Sequence, residues 1–122
     1  MKLNKVKLDV ELTTKVRTLK ARTGLNPNIL CRIGFCLSLN EPGIPNTERY
    51  LEDGMEFNRY TLTGEWDSLF IALLKERCLQ DGINLKENLE GQFMAHLNRG
   101  ITIIYSRIKK LEDFDNLLTY EN

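Results

Sequence analysis

A helix stop, a helix start and a nearly unbroken apolar helix occur together in residues 22–39, Arg-Thr-Gly-Leu-Asn-Pro-Asn-Ile-Leu-Cys-Arg-Ile-Gly-Phe-Cys-Leu-Ser-Leu, and no other stretch constrains the fold as strongly. Gly24 is placed to end a helix in the left-handed region, which glycine enters without a Cβ penalty. Asn26 can cap the next helix, and Pro27 fits its first position, where no backbone donor is needed. From Ile29 to Leu39 the only charge is Arg32. A helix of that composition must be covered on most sides, by a core or by a subunit interface.

The flanking segments extend this element. Val6, Leu8, Val10 and Leu12 alternate with Lys5, Lys7, Asp9 and Glu11, the period-2 pattern of a half-buried strand. One strand needs a partner. The same strand of a second subunit would serve, since nothing else in the chain alternates as cleanly. An extension of the first helix, or an arm, is the plainer alternative for residues 1–12. Thr13 or Thr14 can cap a helix running to about Arg22, with Leu12, Val16 and Leu19 inward. The order strand, helix, turn, buried helix is ribbon-helix-helix-like.

Downstream, Asn40 to Asn46 contains two prolines and a glycine and stops the apolar helix. An acidic connection follows to Thr63, expected to be pinned to the body by Tyr50, Met55, Phe57 and Tyr60. Thr63 can cap a helix from Gly64 to Gln80, with Leu69, Phe70, Leu73 and Leu74 as its core stripe and Gly82 as its stop. Asn84 with Glu87 starts the last helix. Leu89, Phe93, Leu97, Ile101, Ile104, Ile108 and Leu111 recur at three and four residues, so that helix spans about 26 residues, roughly 39 Å. Gly100 in its interior costs about 1 kcal/mol against alanine and points to a close helix contact. The expectation is a mainly α, single helical domain over 1–122, with a short N-terminal strand, two further long helices and an acidic tail at 112–122.

With 122 residues and 42% apolar content the chain suffices for one core. Absence of a long apolar run and of a secretory block after Met1 makes the cytoplasm the expected compartment, with no membrane partner. Three cysteines do not close a disulfide framework and read as thiols. Formal charge is zero, but it is segregated. Residues 1–35 balance to +6 and residues 91–111 to +4, while 36–90 balance to −6 and 112–122 to −4. If the basic segments share a face, that face suits phosphates, and Lys2, Lys5, Lys7, Lys15, Arg17, Lys20, Arg22, Arg99, Arg107, Lys109 and Lys110 are the candidate DNA contacts. Few Asn, Gln or Arg residues accompany Lys5 and Lys7, so backbone contact fits better than base reading.

Catalytic patterns are missing. His96 is the single histidine, so no histidine metal pair exists, and it reads as a satisfied surface or core residue. Cys31 and Cys36 are five apart, about 140° around a helix, and cannot chelate one metal together without unwinding it. Gly24 and Gly34 lie at helix boundaries or helix contacts and Gly43 in a turn, so no glycine loop cradles phosphate. Ser38, Ser68 and Ser106 each lack a nearby base in sequence. No enzyme, metal or cofactor is expected.

Four blocks in order, Arg22-Thr-Gly-Leu-Asn-Pro-Asn-Ile-Leu-Cys-Arg32, Glu41-Pro-Gly-Ile-Pro45, Phe57-Asn-Arg-Tyr-Thr-Leu-Thr-Gly-Glu-Trp66 and Ala95-His-Leu-Asn-Arg-Gly100, resemble the DNA sulfur modification protein DndE family, from about Lys5 to Leu111. The resemblance implies a small helical cytoplasmic protein of the DNA phosphorothioation system, in which sulfur replaces a non-bridging backbone oxygen. It implies work beside a cysteine desulfurase, an iron-sulfur sulfur-transfer protein and an ATPase. It also implies self-association into tetramers and binding of duplex DNA, nicked duplex by preference, through surface lysines. No catalytic residue carries over. The resulting expectation is an accessory DNA-binding subunit; the alternatives are a ribbon-helix-helix transcriptional regulator and a protein-protein scaffold acting through the Tyr50 to Tyr60 connection.

Overall fold

The computed structural model describes residues 3–115. Strand β1 (Lys5–Lys7) leads into α1 (Val10–Thr23) and α2 (Pro27–Leu39). A 3-10 turn (Thr47–Arg49) and strand β2 (Glu56–Asn58) follow, then the one-turn helix α3 (Arg59–Thr63) and a second 3-10 turn (Gly64–Trp66). Helices α4 (Asp67–Gln80) and α5 (Leu85–Arg107) complete the body, and a last 3-10 turn spans Leu111–Asp113. The mainly α architecture expected from periodicity is present.

At the N-terminus the structure corrects the reading. Alternation from Val6 to Leu12 yields a strand of only three residues, because Asp9 caps a helix there instead of Thr13 or Thr14. Its side chain accepts from the Glu11 N–H at 2.9 Å, and Val10, which alternation would bury, is 51% exposed. Leu12, Val16 and Leu19 then form a helical stripe, a periodicity equally present in the sequence, with Leu8 buried just ahead of the helix. The strand partner is in the same chain: β1 pairs antiparallel with β2, Val6 opposite Phe57. The acidic connection is therefore held mainly by its backbone. Leu8 N–H donates to Met55 O at 2.9 Å, Gly54 N–H to Leu8 O at 2.8 Å and Met55 N–H to Thr13 Oγ1 at 2.8 Å. Of the aromatics expected to pin it, Phe57 is buried and Tyr50 partly so, whereas Tyr60 is exposed.

The core is built on the crossing of α2 and α5. Gly34 and Gly100 meet backbone to backbone: a Cβ on Gly34 would lie 2.8 Å from the Gly100 carbonyl carbon, and one on Gly100 only 2.1 Å from the Gly34 carbonyl carbon. Leu30, Phe35, Phe93, Leu97, Ile101 and Ile104 are buried around that contact. Asn26 and Asn84 cap α2 and α5 as expected, and Gly24 takes φ 77° after α1. Helix α5 stops at Arg107, not Leu111, because Ile108 turns to extended backbone while staying fully buried. The acidic tail from residue 116 onward lies outside the described residues.

Helix α4 presents a different face from the expected one. Phe70 and Leu74 are buried, but the stripe continues through Arg77 and Cys78, and Leu69 and Leu73 face outward, 51% and 42% exposed. Thr63 makes no side-chain cap to the turn that precedes α4. It donates instead to Asp67 Oδ1, 2.8 Å away. On the outer side of α2, Ile29, Ile33 and Leu37 are partly exposed and line an apolar groove with Phe70 of α4.

Candidate nucleic-acid interface

Lys15 and Arg22 are seven residues apart on α1 and so project from one face, two turns from each other. That face meets the C-terminal end of α5 at Tyr105. The Lys15 ammonium lies 5.3 Å from the Tyr105 ring centroid, the Arg22 guanidinium 5.1 Å and the Lys109 ammonium 5.6 Å. All three are within cation–π range. None makes an ion pair with a described residue. Two basic segments separated by the 55 residues of net acidic sequence at 36–90 therefore converge on a single aromatic ring, although the chain as a whole is neutral.

The remaining candidates occupy three other settings. Arg17, Lys20 and Lys110 are exposed beside the cluster in sequence, on α1 or next to Lys109. Lys5 and Lys7 share one carboxylate, both 3.8 Å from Glu56 of β2, and Arg107 lies 3.7 Å from Glu41. Such exposed pairs are weak. They still lower the local potential. Arg99 faces inward: it donates to Ser38 O at 2.7 Å, Ser38 Oγ at 2.8 Å and Gly43 O at 2.8 Å. It closes the C-terminal end of α2, where unpaired carbonyls favour cations. Arg77 assists it, donating to Leu39 O at 2.7 Å and to Asp81 at 2.9 Å. Lys2 lies outside the described residues.

Sequence reasoning missed Tyr105. The available signal was its spacing of four from Lys109 and an aromatic among basic residues. Reasoning also missed the base beside Ser38, whose hydroxyl lies 2.8 Å from His96 Nδ1. Arg99 Nε–H donates to the same Ser38 Oγ, and the direction of the serine–imidazole bond follows the tautomer of the ring. Burial, then the Arg99 and Arg77 charges, lower the His96 pKa to about 4. Both residues are fully buried, so no substrate reaches this pair. It is a structural link between α2 and α5.

Cys31 and Cys78 are buried and Cys36 is exposed on the outward side of α2, as their helical spacing requires. Burial pushes the Cys31 thiol up to about 12, away from nucleophilic use. Among the described residues no helix is long and apolar enough to cross a membrane.

Comparison with known proteins places the geometry in context. A family described as DNA sulphur modification protein DndE matches residues 5–112. The fold is similar to the crystal structure of DndE from Escherichia coli B7A, a protein involved in DNA phosphorothioation modification. The TM-score is 0.69 with 26% identity, over 85% of this chain and 98% of that chain. It is similar also to a variant of DndE, involved in DNA phosphorothioation, with lysine in place of glycine at two positions. That TM-score is 0.67 with 25% identity, over 85% of this chain and 99% of the other. No curated protein sequence matches.

Proposed function

This chain belongs to the DndE family of DNA sulphur modification proteins, and from that membership we propose that it is an accessory, non-catalytic subunit of the phosphorothioation machinery that holds duplex DNA by its backbone. The convergence of Lys15, Arg22 and Lys109 on Tyr105 carries this reading. Cations fixed by an aromatic ring, without base-reading amides among them, meet phosphates irrespective of sequence. A nick relaxes the stiffness of the duplex and lets its backbone bend onto a small cluster of cations, so nicked DNA is the preferred form.

In this reading the protein works in the bacterial cytoplasm, and sulfur insertion belongs to its partners: a cysteine desulfurase, an iron-sulfur sulfur-transfer protein and an ATPase. Self-association, to a tetramer, would cover the apolar surface of α2 and α4 and multiply the basic clusters along one duplex. Reading of an operator by a paired ribbon has less support, because the strand lysines share Glu56 of their own chain.

Competitive binding to intact and singly nicked duplexes of two unrelated sequences, across a salt series, tests the proposal. Equal affinity for both sequences, a preference for the nick and a steep salt slope are expected. Lys15→Ala and Arg22→Ala should each reduce the log–log slope by about 1. Strong preference for one sequence, or no binding at low salt, would refute it.

A further inference from the structure

The chain after α5 makes a turn whose construction bears on the basic cluster. Ile108 is fully buried and donates its N–H to Ile104 O at 2.8 Å, fixing where the helix ends. Beyond it, one carboxylate oxygen of Asp113 accepts both the Lys109 N–H, at 2.8 Å, and the Lys110 N–H, at 3.1 Å. Asp113 N–H returns to Lys110 O at 3.1 Å and closes the loop. Those backbone donors, Lys109 first, hold the Asp113 carboxyl below its ordinary range. On the far side, Leu111 and Phe114 line the apolar groove along α2 with Ile29 and Ile33. The turn is thus anchored in the core, on a carboxylate and in a groove, and it delivers the Lys109 ammonium to Tyr105. Asp113 and Phe114 lie just past the residues matched to the family.

We infer that Asp113 is a positioning residue for phosphate binding: by clamping the backbone of Lys109 and Lys110 it holds the Lys109 side chain in the cluster around Tyr105, and so supports binding of a polyanion despite its own negative charge. The inference rests on the backbone-binding reading above and deepens it. It has a consequence opposite in sign to simple electrostatics. Coulomb's law alone makes a carboxylate beside a phosphate site unfavourable, so its removal should tighten binding. A clamp makes its removal loosen binding, because the freed turn loses the conformation in which three like charges are held together against their mutual repulsion.

The test compares Asp113→Ala, which removes charge and acceptor, with Asp113→Asn, which removes the charge but keeps an acceptor oxygen. Affinity of the full chain for a nicked duplex is measured across a salt series. Asp113→Ala should bind several-fold more weakly, with a salt slope lower by about 1, as for loss of one phosphate contact. Asp113→Asn should bind at least as well as the unsubstituted protein. Lys109→Ala combined with Asp113→Ala should be no worse than Lys109→Ala alone, since both remove the same contact. Without DNA, amide exchange at Lys109 and Lys110 should quicken in Asp113→Ala and not in Asp113→Asn. Unchanged or tighter binding by Asp113→Ala, or additive losses in the double variant, overturns the inference. If Lys15→Ala also leaves binding unchanged, the backbone-binding reading itself has failed; if Lys15→Ala weakens binding, only the clamp has.

Discussion

His96 shows how much a single buried polar side chain can weigh. It sits with no exposure in the core and shares one hydrogen bond with Ser38, while its Nε2 meets no partner among the described residues. The folded protein takes up a proton there only at about pH 4, against an ordinary value of 6.5. The unfolded chain is therefore protonated first as pH falls. Stability is full above the unfolded value, declines as pH drops below it and reaches its floor below the folded value. The slope approaches about 1.4 kcal/mol per pH unit at most. Urea midpoints compared between pH 6.5 and 5, where most carboxylates are still ionised, should fall in the native protein and stay flatter in His96→Leu. Equal slopes would show that His96 titrates normally. Neither the burial nor the serine partner was legible in sequence, because Ser38 and His96 are 58 residues apart and meet only through a helix crossing.

Helix starts and stops were the most legible elements. Asn26, Asn84 and Gly24 act through groups within a few residues of themselves, so their chemistry is local and the sequence displays it. Reading failed where two local patterns overlapped. Residues 6–12 satisfy both a strand and a helix period, and the choice went to the helix once Asp9 could cap it and also accept the Leu51 N–H at 3.1 Å. It failed again on α4, where leucine outranks arginine as a core residue by type. Arg77 is nevertheless buried, since its guanidinium reaches the carbonyls at the end of α2, and Leu69 is left outside. The α2–α5 crossing is more robust, and Gly100 announced it. A methyl group there would collide with the Gly34 backbone, which has no flexible end to move aside. Gly100→Ala should cost about 3 kcal/mol, the upper range for overpacking. Equilibrium denaturation checks it, and a loss below about 1 kcal/mol would mean that the helices separate easily.

On the scale of the whole molecule, two surfaces are distinct in chemistry. One is the basic cluster at Tyr105. The other is the apolar outer side of α2 and α4, where Ile33, Leu37, Leu69 and Leu73 are left partly or largely exposed. The apolar groove lined by Ile29, Ile33, Leu37 and Phe70 favours association. Ile33→Asp with Leu69→Asp should therefore shift the sedimentation mass to that of a single 14.2 kDa chain. A native protein already of that mass would sink the idea. The salt slope per duplex should drop with the change, since linked clusters would separate. The sequence by itself determined the mainly helical class, most helix boundaries, the glycine contact and the segregation of charge, because each depends on residues near in the chain or on composition. Only the tertiary structure decided which cations meet, which strand pairs with β1 and that Ser38 finds a base. Those outcomes depend on how α1, α2 and α5 pack, and packing joins residues whose separation along the chain carries no periodic signal.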